Sequence, residues 1–167
     1  GHVFLLDRRN GNPLFPVEER PVPRDGVDGE IFSPTQPFPT LPPPIHPSTL
    51  SPDDAWGITP LDRWDCRRKI EALRYDGPFT PPNVEGWIGY PSYFGGSNWG
   101  SVAIDHVRGL LITNTSRMAS VLRLIPRDEY TARMKAAEDA GEIPPLWEPQ
   151  EGTPYAMTRD FLVSFWG

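Results

Sequence analysis

Apolar and polar positions alternate in only a few short windows of this chain. Val102 and Ile104 alternate with Ala103 and Asp105, the period-2 pattern of a half-buried strand. Leu110-Leu111-Ile112 is apolar on both faces, which predicts a strand inside a packed sheet. Between them only His106 to Gly109 can reverse the chain, so the pattern predicts a hairpin with Gly109 at positive φ. Upstream, Gly95 and Gly96 precede Ser97-Asn98-Trp99-Gly100; two glycines there let the backbone approach a neighbour that a Cβ would strike. His2 to Asp7 also alternates and runs into Asn10-Gly11, a strong hairpin signal, with a return strand over Pro13 to Val17 confined by its prolines to an edge. Trp87 to Tyr90 and Val121 to Ile125 are two further strand-like runs.

Helical signals are sharper where a cap accompanies them. Ser51-Pro52-Asp53-Asp54 predicts a short helix over about 51–56, from an N-cap serine, a proline in the first turn and two acids. Thr59-Pro60-Leu61-Asp62 repeats the device and predicts a helix over about 60–75. Leu61, Trp64, Ile70 and Leu73 would form its inner stripe, Gly77 its stop, and Arg67, Arg68, Lys69 and Arg74 a solvated basic face. Pro126 opens a second helix, Arg127 to Ala140, with Tyr130, Met134 and Ala137 at helical spacing, Glu129 four residues before Arg133, and Gly141 as its stop. Glu18 to Leu50 shows no period, and Pro34, Pro37, Pro39 and Pro42-Pro43-Pro44 favour extended, polyproline-like backbone. Pro144 to Pro154 reads as loop, followed by a last apolar patch of Phe161, Leu162, Val163, Phe165 and Trp166.

Composition changes this picture in two ways. With 22 prolines and 15 glycines in 167 residues, long elements are scarce. Yet 38% hydrophobic and 11% aromatic residues are enough for a core. A net charge of −6 lacks the basic face that nucleic acid requires. Lone Cys66 permits neither an intrachain disulfide nor a cysteine zinc site, and the three histidines lack ligand spacing. No nucleophile elbow and no phosphate-cradling loop is present, because Gly95-Gly96 leads into a strand and not a helix.

The chain resembles a known family along most of its length. FGGSNWGSVAIDHVRGLLITNTSR (Phe94 to Arg117), GHVFLLDRRNGNPLFPVEERPVP (Gly1 to Pro23), SPTQPFP, Trp56 to Pro60, LRYDGPFTPP and LIPR are similar, in the same order, to membrane-bound pyrroloquinoline-quinone (PQQ)-dependent dehydrogenases of the glucose/quinate/shikimate group. The resemblance implies a mainly β fold: a fragment of an eight-bladed quinoprotein β-propeller, with a long proline-rich loop and short helical insertions. Residues 1–21 would be the outer strand pair of one blade, 22–83 the excursion, 84–125 the next blade, and 126–167 a helix, a loop and the start of a further strand. It also implies oxidation of a sugar or cyclic polyol hydroxyl, with electrons passed to ubiquinone at the periplasmic face of a bacterial inner membrane. The membrane anchor, the catalytic aspartate, the cofactor-contacting lysine and the ligands of the full enzyme's calcium or magnesium would all precede Gly1. The chain is therefore expected to be a soluble excised piece, inactive alone and able to self-associate through cut blade edges.

Within the piece, three residues are candidate cofactor contacts: Asn98, Trp99 and Asn114. Two readings of Asn114 stand. An asparagine ending an apolar strand can cap a turn; the resemblance instead puts it where the family hydrogen-bonds the quinone, a task that suits an uncharged amide. Trp99 is either core or a wall for a flat ligand. Two other functions compete with the dehydrogenase fragment: a non-catalytic propeller-derived binding module, and a proline-rich protein-interaction segment.

Overall fold

The structure, a computed structural model, describes residues 1–98 and 100–163. Seven strands in three small antiparallel sheets, two α-helices and one 3-10 turn make up its regular part.

The three-stranded sheet is central. Strand β6 (Ser120–Pro126) is its middle strand, flanked by β3 (Trp87–Gly89) and β7 (Tyr155–Phe161). Trp87 pairs with Leu122, and Leu124 with Met157, so alternate residues of all three strands face the same side. Trp87, Leu122, Leu124 and Met157 form one apolar cluster there, with Val27 and Tyr155 packed on it. The opposite side presents Ile88, which is buried with Ala55, Ile70 and Ala119 beneath Leu50, Leu73, Tyr75 and Tyr90. Residues on both faces of β6 are thus buried, which explains its nearly continuous apolar run. Strand β7 covers the stretch from Tyr155, immediately after the proline-rich loop, and so begins six residues before the apolar patch at Phe161.

Helix α1 (Pro60–Glu71) begins where its cap predicts: the Thr59 hydroxyl accepts the Asp62 amide. Of the predicted inner stripe, Ile70 and Leu73 pack on the core but the other two residues do not. Leu61 and Trp64 are 77% and 59% exposed, whereas Asp62 is 1% exposed and Ile70 is buried. Asp62, Cys66 and Ile70 are spaced by four and define the buried stripe, one position out of phase with Leu61. The helix also stops at Glu71, before Gly77, because Arg74 pairs its backbone with β3: Ile88 N–H donates to Arg74 O at 2.9 Å. The basic side chains are tied within the chain. Arg67 bonds Asp53 and Glu71, Arg68 stacks on Trp64, Lys69 reaches Asp65, and Arg74 reaches Asp25 and Asp76. The helix over 51–56 is a single 3-10 turn, Pro52–Asp54.

Helix α2 (Arg127–Ala140) matches its predicted bounds. Gly141 takes φ +68°, and its N–H, with that of Glu142, returns to carbonyls of the last turn.

The proline-rich region holds a strand pair that the sequence pattern misses. Strand β1 (Val17–Pro21) runs antiparallel to β2 (Thr35–Pro39), with Val17 opposite Pro39 and Pro21 opposite Thr35. A two-stranded sheet has two edges, so a proline whose missing N–H would point outward loses no ladder bond. The expected return strand over Pro13 to Val17 reduces to a tight reversal, with one bridge at Leu6 and Pro13. Phe38 of β2 is buried, edge-on to His2 and Phe79 and beneath the Arg20 guanidinium.

Strands β4 (Ala103–Asp105) and β5 (Leu110–Ile112) form the predicted hairpin. Asp105 accepts the Val107 and Arg108 amides, and Gly109 closes the turn at φ +66°. Among the described residues the hairpin pairs with no other strand, and Ile104, Leu110 and Ile112 are exposed, so β5 does not lie inside a packed sheet here. No helix among the described residues is long and apolar enough to cross a membrane.

Candidate functional site

The two candidate asparagines meet at one place, where a glycine-rich loop lies against the exit of β5. The loop, residues 94–101, leaves the central sheet after Ser92 and Tyr93. Ser92 N–H donates to Met118 O, and Tyr93 N–H to the Ser120 hydroxyl, so its near end is anchored on the start of β6. Gly95 takes φ +82°, a conformation few side-chain-bearing residues adopt. A Cβ on Gly96 would stand 2.7 Å from the His46 ring and 2.8 Å from Pro91. His46 is buried and bonds the Pro47 carbonyl through Nδ1, so the proline-rich region forms the wall behind the loop. The close approach expected of Gly96 therefore has a named neighbour.

The far side of the loop contacts the segment after β5. Ser116 N–H donates to Gly96 O at 2.6 Å. The Ser97 and Thr113 hydroxyls are 3.0 Å apart, and the Thr113 hydroxyl donates to Ser101 O at 2.7 Å. A Cβ on Gly100 would lie 2.5 Å from Asn114 Oδ1, so this glycine leaves the space that the Asn114 carboxamide occupies. Asn114 and Asn98 are both exposed, and Asn98 Nδ2 donates to the Phe94 carbonyl. Trp99, the third candidate, lies outside the described residues.

A concavity adjoins the loop through Tyr93 and Phe94. It encloses about 390 Å³ and is lined also by Leu146, Trp147, Arg159 and Phe161. Phe94 stacks on Phe161 with centroids 5.6 Å apart, and the Arg159 guanidinium lies 4.9 Å from the Tyr93 ring centre while paired with Glu148. Among the described residues no group of three or more His, Cys, Asp or Glu side chains could hold a metal ion.

Sequence reasoning missed the hydroxyls and this cleft. A trace of the former was available: Ser97 immediately precedes Asn98, and Thr113 immediately precedes Asn114. The cleft depends on Phe161 and Arg159 returning beside Tyr93 through the β6–β7 pairing, which no local pattern encodes.

Small antiparallel sheets joined by proline-rich and helical segments, with a glycine loop held against an asparagine, are the setting of the site. The chain belongs to the PQQ family described as glucose/ethanol/alcohol dehydrogenase, β-propeller domain, which matches residues 1–167. It is 41% identical to the glycerol dehydrogenase large subunit of Gluconobacter oxydans (strain 621H), the alignment covering 99% of this chain and 23% of that protein. It is 36% identical to the quinoprotein glucose dehydrogenase of Escherichia coli (strain K12), covering 100% of this chain and 21% of the relative. Identity to the quinate/shikimate dehydrogenase (quinone) of Acinetobacter baylyi (strain ATCC 33305 / BD413 / ADP1) is 34%, again over 100% and 21%. The chain thus spans between a fifth and a quarter of the length of these relatives. No solved structure matches it.

Proposed function

We propose that this chain supplies part of the PQQ pocket of a quinoprotein dehydrogenase that oxidises a hydroxyl of a sugar or cyclic polyol. The observation that carries the reading is the seat of Asn114: a neutral amide at the exit of a strand, facing a glycine whose missing side chain leaves room for it. The residues suit the group. PQQ is a flat, highly oxygenated ring system, and carboxamide N–H groups donate to such oxygens without exchanging a proton with them. When bound, the cofactor supplies the acceptor for the two electrons of the alcohol. The chain's own part is to bind and orient it, through Asn114 and Asn98, with Trp99 offered as a wall.

On the same reading, this chain is one part of a β-propeller ring. The ring has eight blades, the region between β1 and β3 is a proline-rich excursion from it, and calcium or magnesium is held by residues outside this chain. Electrons pass to ubiquinone at the periplasmic face of the inner membrane, and the isolated chain is inactive because its acid–base residue lies elsewhere. Asn114→Ala is expected to weaken PQQ binding roughly tenfold, the worth of one or two hydrogen bonds. Titration of the apoprotein with PQQ, followed by fluorescence, measures this. Unchanged affinity with an unchanged fold would remove Asn114 from the pocket.

A further inference from the structure

Asn114 is exposed apart from the side of its carboxamide that rests against Gly100. What holds the backbone on either side is a short relay of hydroxyls. Ser97 and Thr113 are 3.0 Å apart; Thr113 donates its one hydroxyl proton to Ser101 O at 2.7 Å, and its oxygen then accepts from Ser97. Ser116 N–H to Gly96 O closes the same seam two residues beyond Asn114. The two hydroxyl side chains of the relay belong to the immediate neighbours of the two candidate asparagines.

We infer that the Ser97–Thr113 hydroxyl pair is a positioning device that fastens the glycine-rich loop to the exit of β5 and so aims the Asn114 amide. Neither hydroxyl needs to touch the cofactor. The inference rests on the reading of Asn114 given above, and it makes a separate claim: the seam is set before the cofactor arrives. Thr113 has the right chemistry for this. It offers one donor and an acceptor at the same atom, so a single side chain links two points of the loop. Valine in its place keeps the shape and loses both bonds, whereas serine keeps both bonds and loses only a methyl group.

The test compares Thr113→Val, Thr113→Ser and Asn114→Ala in the protein, by amide hydrogen exchange without cofactor and by PQQ titration. Thr113→Val is expected to speed exchange of the Ser101 and Ser116 amides roughly tenfold and to weaken PQQ binding by a similar factor. Thr113→Ser restores both. Asn114→Ala weakens PQQ binding and leaves exchange in the seam unchanged. Unaltered exchange in Thr113→Val overturns the seam whatever PQQ does. Faster exchange with unchanged affinity overturns the positioning role, as does a serine variant that behaves like valine. If Asn114→Ala binds PQQ normally, the earlier reading of Asn114 falls and the aiming role falls with it. In that case the exchange data separate a sound seam from a sound pocket.

Discussion

Asp62 shows how one side chain sets the phase of an element. Its carboxylate accepts the Ile58 amide at 2.9 Å, while its own N–H donates to Thr59, so the residue closes the start of α1 from both sides. Burying a carboxylate is tolerable when backbone donors meet it. Hydrophobicity therefore could not reveal the inward face: an acid occupies it, and Leu61 and Trp64 look outward. Asp62→Ala is expected to destabilise the chain by about 1–3 kcal/mol, because the Ile58 N–H is left without that acceptor; denaturant unfolding reads the loss. A second acid is legible in both sequence and structure. Asp54 accepts the Ser51 hydroxyl and then the Ser51 amide, and these bonds hold its carboxyl below the ordinary aspartate range. A depressed folded value means the contribution to stability is complete above the unfolded pKa of about 3.9 and is lost as pH falls through the folded one. Ser51→Ala should return the Asp54 titration, followed by carboxyl NMR, toward the ordinary value.

At the scale of elements, legibility follows locality. Helix α2 could be read to the residue because its stop signal, Gly141, and its spacing all lie within the segment. The β4–β5 turn was readable for the same reason, since Asp105 and Gly109 build it between them. Strands β1 and β2 were not. They are joined by residues 22–34, and prolines interrupt the alternation that marks a strand. Strand β7 was hidden because its partner, β6, is separated from it by α2 and a proline-rich loop. The end of that loop is gripped by a residue with no pattern of its own. Arg127 directs Nε to Thr153 O at 2.7 Å and Nη2 to Tyr155 O at 2.7 Å, with the Pro149 and Gln150 carbonyls also on Nη2. A guanidinium satisfied by carbonyls fixes the backbone that enters β7. Arg127→Met retains the alkyl stem and removes every donor, and we expect it to lower stability by about 1.5–3 kcal/mol. Faster exchange confined to residues 149–157 would mark the loop as the part released; exchange changes spread evenly over the chain would contradict the clasp.

For the molecule as a whole, the parts are unequally covered. The central sheet is buried on both faces, but the β4–β5 hairpin exposes Ile104, Leu110 and Ile112, with Val107 at its tip 94% exposed. Across the hairpin Ile104 is opposite Leu111, while Asp105 and Leu110 pair one step on, so apolar side chains stand on both of its faces. An isolated two-stranded hairpin is marginal in water, and one with two apolar faces gains from any surface that covers it. In relatives four to five times as long, the remainder of the polypeptide is available to do so. The 167-residue chain on its own is therefore expected to self-associate through this hairpin, in spite of a net charge of −6 that opposes association. Sedimentation velocity over a concentration series should show mass rising with concentration. Leu110→Lys combined with Ile112→Glu should return the chain to a monomer, and because both side chains are already exposed the central sheet should unfold at the same denaturant concentration as before. A monomer at every concentration in the unsubstituted chain would show that the hairpin needs no cover. Association that survives both substitutions would move the contact to another part of the surface.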